Sequence, residues 1–134
     1  MPSSAASDVY KRQSPSQARW IPETIGTGQR IYLSPGVYLG EVGALVPGHY
    51  PDPSDWLWVN LLPGQVLRIR LVGLGGRCGL SLYDPGGSPQ VVMEPSSQLG
   101  LEYRAHRRGA WQLRIVCVRP SEGVRYRLEV SIDG

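Results

Sequence analysis

Residues 55–71 read Asp-Trp-Leu-Trp-Val-Asn-Leu-Leu-Pro-Gly-Gln-Val-Leu-Arg-Ile-Arg-Leu, and the alternation inside this stretch decides the fold class. Leu57, Val59 and Leu61 fall on one side, with Trp56, Trp58 and Asn60 on the other; past Pro63-Gly64, Leu67, Ile69 and Leu71 oppose Arg68 and Arg70. Successive side chains of a strand point to opposite faces, so a period of two marks a strand with one face buried. Two such strands around Pro63-Gly64 predict a hairpin with Leu61 opposite Leu67, Val59 opposite Ile69 and Trp58 opposite Arg70. A slip of one residue would expose a whole apolar row.

The same period recurs to the end of the chain. Cys78, Leu80 and Leu82 alternate with Ser81 and Tyr83, and Leu101, Tyr103 and Ala105 with Glu102, Arg104 and His106. Trp111, Leu113, Ile115 and Cys117 alternate with Gln112 and Arg114, and Tyr126, Leu128, Val130 and Ile132 with Arg127, Glu129 and Ser131. Residues 31–33 and 37–42 are shorter strand candidates. Turn signals separate these segments: Ser34-Pro35-Gly36, Pro47-Gly48, Pro63-Gly64, Gly75-Gly76, Asp84-Pro85-Gly86-Gly87, Glu94-Pro95-Ser96, Arg108-Gly109 and the run from Pro120 to Gly123. From residue 28 onward no stretch free of Gly and Pro exceeds ten residues, which leaves no room for a substantial helix. The expected fold is all-β, an antiparallel, jelly-roll-like β-sandwich of about eight short strands over 28–134.

Length and composition set the outer limits. A chain of 134 residues suits one domain. No apolar run reaches the roughly eighteen residues of a membrane span. The net charge is +3, yet Lys11 is the one lysine against thirteen arginines. That lysine lies in residues 3–13, SSAASDVYKRQ, which equal the translation of a common transposase sequencing adapter. Residues 1–13 are therefore expected to be a disordered, adapter-derived scar on a metagenomic gene fragment, and residues 14–27, with Pro15, Pro22 and Gly26, a linker. The remainder, rich in Arg and lacking Lys and Phe, reads as GC-rich coding, so part of the basic charge carries no functional meaning.

The order of strands and turns resembles the bacterial pre-peptidase C-terminal domain, a β-sandwich appended to secreted peptidases, over about 31–132. The pieces that carry the resemblance are Gly40-Glu41-Val42, Asp55-Trp56-Leu57-Trp58-Val59, Pro63-Gly64-Gln65-Val66-Leu67-Arg68-Ile69, Leu80-Ser81-Leu82-Tyr83-Asp84-Pro85-Gly86-Gly87, Gly109-Ala110-Trp111-Gln112-Leu113-Arg114-Ile115 and Tyr126-Arg127-Leu128-Glu129-Val130. The resemblance implies an extracellular or periplasmic accessory domain without catalysis, and a monomer is expected. It would sit behind a catalytic domain of the same polypeptide, aid secretion or maturation, or hold its neighbour to a surface or polymer. The family's Asp-Leu-Asp-Leu is here Arg77, Cys78, Gly79 and Leu80, so neither acid remains for calcium. No metal and no cofactor are expected; Asp52 and Asp55 are the residual acidic pair, read as loop caps.

The residues offer little for catalysis. His49 and His106 are the two imidazoles, and neither stands in a nucleophile motif with Ser81 or Ser131. The GLGG at 73–76 leads into a strand and not a helix, which removes a phosphate-loop reading. Cys78 and Cys117, both on inward positions, fit a disulfide or two buried thiols. The outward set Trp56, Trp58, Arg68, Arg70, Arg114 and Arg127, joined by Arg104 and Arg125, is the candidate binding surface, for carbohydrate or protein. The alternative is a β-barrel binding nucleic acid or an anionic polysaccharide through Trp56 and Trp58 beside Arg68 and Arg70. Glu102 and Glu129 interleave with the arginines and favour a merely solvated face.

Overall fold

The alternating segments form two packed sheets in the computed structural model, which describes residues 18–22, 29–43, 54–118 and 123–134. The strands are β1 (Arg19–Trp20), β2 (Gly36–Val42), β3 (Ser54–Leu61), β4 (Val66–Leu74), β5 (Cys78–Tyr83), β6 (Pro89–Ser96), β7 (Gln98–Arg104), β8 (Gly109–Cys117) and β9 (Val124–Asp133). One sheet has the order β1-β2-β9-β4-β7 and the other β3-β8-β5-β6. Apart from the short β1, this is the eight-stranded double Greek key of a jelly roll. The apolar rows read from the sequence face inward, and Leu57, Val59, Leu67, Leu80, Leu113, Ile115 and Leu128 are fully buried around Trp111 and Tyr126. Among the described residues no helix is long and apolar enough to cross a membrane.

Pro63-Gly64 does turn the chain, but not into a hairpin. Gln65 N–H donates to Leu62 O at 3.1 Å, and Gly64 has a φ of 91°. Pro followed by a left-handed Gly is the type II arrangement, whose twist splays flanking strands, whereas two-residue hairpins use the primed turns. The chain therefore crosses to the opposite sheet. Leu61 pairs with Gly109 and Trp58 with Gln112, while Leu67 lies between Tyr103 and Ile132. The expected pairing of Leu61 with Leu67 and Trp58 with Arg70 is corrected accordingly. Both apolar rows remain buried because they now face each other from opposite layers, an outcome that alternation permits equally well. The hairpin between consecutive strands of one sheet falls instead at β5–β6.

The upstream boundary also moves. Arg19 and Trp20 pair in parallel with Tyr38 and Leu39, Ile21 N–H donates to Leu39 O at 2.8 Å, and Ile21 is buried in the core. Arg19 Nη1 donates to Ser34 Oγ and to Tyr38 Oη at 2.8 and 2.9 Å. The sandwich thus recruits part of the segment read as a linker; a two-residue strand is too short to show alternation. Residues 1–17 and 23–28, with the adapter stretch, lie outside the described residues, as do His49 and Asp52.

Two bonds tie the layers and strands together. Tyr126, fully buried on β9, donates its hydroxyl to Asp55 Oδ2 on β3 at 2.6 Å, joining one sheet to the other. The ring can lie there because its neighbour in register is Gly40, where a Cβ would stand 2.4 Å from Tyr126 Cζ. Asp55 is therefore a cross-sheet anchor and not only a loop cap. Cys78 and Cys117, directly opposite on β5 and β8, are bonded in a disulfide that spans 39 residues.

At the β5–β6 turn, Asp84 Oδ1 accepts from Gly86 N–H at 2.9 Å and Ser88 N–H at 3.0 Å, and Gly87 takes the left-handed backbone the turn requires. The Ser88 N–H holds the Asp84 carboxyl below its usual value of 3.8. Burial opposes that shift, while the Gly86 N–H and the charges of Arg107 and His106 reinforce it.

Tyr126→Phe should lower stability by about 1.5–3 kcal/mol, the cost of losing a hydrogen bond to a charged acceptor, as read by urea denaturation; Gly40→Ala should act in the same direction. Loss of the disulfide, by reduction or by paired Cys78→Ala and Cys117→Ala, should cost about 2–4 kcal/mol, since chain entropy for a loop of this length gives about 4. An unchanged denaturation midpoint in reductant would contradict the bond. Because the Asp84 pKa is depressed on folding, its contribution is complete above the unfolded value and lost as pH falls through the folded one. The stability gap between the wild type and Asp84→Asn, present at neutral pH, should therefore close on acidification below 3.8.

Candidate functional site

The residues singled out from the sequence divide between two opposite faces. Arg68, Arg70 and Arg127 lie on the outer face of the β1-β2-β9-β4-β7 sheet, with Arg104 and Arg125. Trp56, Trp58 and Arg114 lie on the outer face of β3-β8-β5-β6. The expectation that the tryptophans stand beside Arg68 and Arg70 is corrected: the crossover at Pro63-Gly64 puts the thickness of the sandwich between them.

On the first face the arginines are largely neutralised. Arg68 Nε meets Glu102 Oε1 at 2.8 Å and its Nη1 meets Asp133 Oδ2; Arg125 Nε meets Glu41 Oε1 at 3.3 Å, and Arg127 Nη2 meets Glu129 Oε2 at 2.9 Å. Arg104 Nη1 donates to Gly64 O at 2.9 Å. Arg70 lies in register between Gly100 and Glu129. A shallow depression of about 570 Å³ opens beside it over Gly100, walled by Arg68 and Glu102, which already satisfy each other. Exposed pairs of this kind contribute roughly 0.2–1 kcal/mol each, and together they cancel most of the field an anionic polymer would need.

The second face carries a row of aromatic rings. Trp56 and Trp58 are two residues apart on β3 and so point the same way. Trp56, 41% exposed, packs against Tyr83 of β5 at 5.3 Å between ring centroids. Trp58 packs against Tyr32, 48% exposed, at 6.5 Å. Tyr32 is placed by the chain running parallel to the edge of β3: Trp58 N–H donates to Ile31 O at 2.9 Å and Leu33 N–H to Trp58 O at 2.7 Å. A guanidinium lies over each indole, Arg114 5.5 Å from the Trp56 ring and Arg30 5.2 Å from that of Trp58. Among the described residues neither arginine has an acidic partner, and Arg114 Nε is buried without an acceptor.

Tyr32, Tyr83 and Arg30 were not among the expected binding residues. Tyr83 was legible as an outward position, but its contact with Trp56 spans the intervening strand β8, an adjacency no single-strand pattern contains. Arg30 and Tyr32 lie just before β2, and their position along β3 is a tertiary fact.

His106, exposed at the end of β7, lies edge-on to Trp111 at 5.2 Å and Tyr103 at 6.5 Å. The Asp84 carboxylate near it is engaged by the Gly86 and Ser88 amides and by Gln90 Nε2 at 3.4 Å, which makes it a turn residue. Ser81 keeps its outward position on β5, in register between Val92 and Arg114, but is buried there.

Searches of family models and of curated proteins found no match to this chain. Among solved structures, the pre-peptidase C-terminal domain of a collagenase from Bacillus anthracis is similar, with a TM-score of 0.57 at 16% identity over 76% of this chain and 92% of that one. PliG from Aeromonas hydrophila, a periplasmic inhibitor of g-type lysozyme, is similar with a TM-score of 0.50 at 15% identity over 87% of this chain and 97% of that one. The double Greek key built by these strand and turn motifs is thus the fold of the pre-peptidase C-terminal domain.

Proposed function

We propose that this chain is a non-catalytic binding module of an exported protein, which engages an extended polymer or surface through the Tyr32-Trp58-Trp56-Tyr83 row. The observation that carries the reading is an exposed Trp56 and a half-buried Trp58 side by side on one strand, each extended by a second ring. Large solvent-facing aromatics on strands cost hydration and do nothing for the core, so a row of them marks an interaction surface. The Cys78–Cys117 bond suits an oxidising compartment, extracellular or periplasmic. One structural neighbour is a domain of a collagenase and another a periplasmic inhibitor, which supports an accessory role beside a catalytic domain, with a part in secretion or maturation. His106 has aromatic neighbours and no nucleophile in hydrogen-bond reach among its described contacts, which supports binding over hydrolysis.

The test is retention of the purified chain on a panel of insoluble polysaccharides and fibrous proteins. Wild type should be retained on at least one, and Trp56→Ala with Trp58→Ala should weaken retention tenfold or more while the melting temperature stays near that of wild type. Equal retention of the double variant, or turnover of a peptide or ester substrate abolished by a His106 substitution, would overturn the proposal.

A further inference from the structure

We infer that the polymer held by this aromatic row is an acidic polysaccharide, with sugar rings stacked on Trp56 and Trp58 and a carboxylate or sulfate gripped by Arg114. This rests on the reading of the row as the binding surface and adds the ligand's charge and its partner residue.

The two faces of the sandwich differ in how their arginines are satisfied. Arg68, Arg125 and Arg127 each meet a carboxylate. Arg30 and Arg114 meet indole rings and no acid among the described residues, whereas Arg125, which also lies over the Trp20 ring at 5.7 Å, meets Glu41 as well. Glu94, on edge strand β6, stands two strands from Arg114, roughly 10 Å by inter-strand spacing. A guanidinium laid flat on an aromatic ring keeps its in-plane N–H groups free, and those are the groups that fit an oxyanion in bidentate fashion. Arg114 Nε is buried with no acceptor among the described residues, as is Arg127 Nε on the opposite face, so the distinction between the faces lies in the carboxylates that meet the Nη groups.

The neighbouring groups suit sugar. Gln112 lies between Trp58 and Tyr83 in register, and Asn60 continues the Trp56-Trp58 row, so amides border the rings where hydroxyls would lie. Stacked bases with phosphates would also pair rings with arginines. Tracking a nucleic-acid backbone, however, takes a groove lined with cations, and this row offers two.

Affinity electrophoresis separates the possibilities, using gels that contain a neutral β-glucan, a polyuronate, a sulfated glucan or single-stranded DNA. Retardation by the polyuronate or the sulfated glucan is expected, and whichever is stronger identifies the anion. Arg114→Gln should weaken that retardation tenfold or more and affect retardation by the neutral glucan far less, whereas Trp56→Ala should weaken both. Arg68→Gln, on the opposite face, should behave as wild type. Circular dichroism checks that each variant folds, and Arg114→Lys should recover only part of the loss. Equal retardation by neutral and acidic glucans, or full binding by Arg114→Gln, overturns the acidic-ligand inference and leaves the aromatic row standing. Indifference of every polymer to Trp56→Ala overturns the row itself, and preferential, steeply salt-dependent retardation by DNA overturns the choice of sugar.

Discussion

The Pro63-Gly64 turn is the constraint on which the remaining topology depends. A left-handed Gly64 behind a fixed Pro63 φ cannot lay β4 beside β3, so the chain must cross the layer. Once it has crossed, β3 needs another partner and finds β8, while β4 takes the central place between β9 and β7. The same crossing decides which side chains can cooperate. Trp56 and Trp58 are separated from Arg68 and Arg70 by the whole core, though about ten residues of chain connect them. A primed turn at the same place would have made one mixed aromatic and basic face, and a different surface chemistry.

Crossing between layers has a cost that other residues offset. A sandwich whose consecutive strands mostly alternate sheets gains little from local pairing, so contacts distant in sequence must hold it. The Tyr126 hydroxyl on Asp55 fastens the layers from within, with Gly40 vacating the space for the ring. Asp84 sets the β5–β6 hairpin by accepting its turn amides. The Cys78–Cys117 bond restricts the unfolded chain between two strands that are neighbours in the sheet but far apart in sequence.

What the sequence made legible follows from what is local. Burial on each strand was readable because a strand's two faces are a property of adjacent residues, and Leu57 to Leu61, Leu67 to Leu71 and Trp111 to Cys117 face as their alternation requires. Partnership was not readable: facing rows in opposite layers and neighbouring rows in one layer satisfy alternation alike. Sequence motifs in their order still identified the sandwich, because turn chemistry such as Asp84-Pro85-Gly86-Gly87 constrains where each strand must end. β1 escaped notice because Arg19 and Trp20 are held by Tyr38 and Ser34, a contact with no counterpart in their own composition. Part of the candidate surface was visible in Trp56, Trp58 and Arg114, but Tyr32, Tyr83 and Arg30 join it only through the packing of separate segments.

Rigidity links the fold to the proposed surface. A binding platform works to the extent that its groups are already placed, because every side chain ordered on association costs affinity. Arg114 sits on β8, which is flanked by β3 with its two tryptophans and by β5 with Tyr83. The disulfide joins β8 to β5 at one end of that trio, and the buried Trp111, its indole N–H donating to Arg107 O at 3.1 Å, fixes β8 nearer the other. Asp55, bonded to Tyr126, anchors the residue immediately before Trp56 to the opposite layer. The outward row is thus mounted on strands tied by these bonds, while Arg68, Arg125 and Arg127 of the opposite face spend their charge on Glu102, Asp133, Glu41 and Glu129. An arginine held on an indole within such a frame offers its donors to a ligand without first having to leave an acid, which is why the second face and not the more basic first one is suited to recognition.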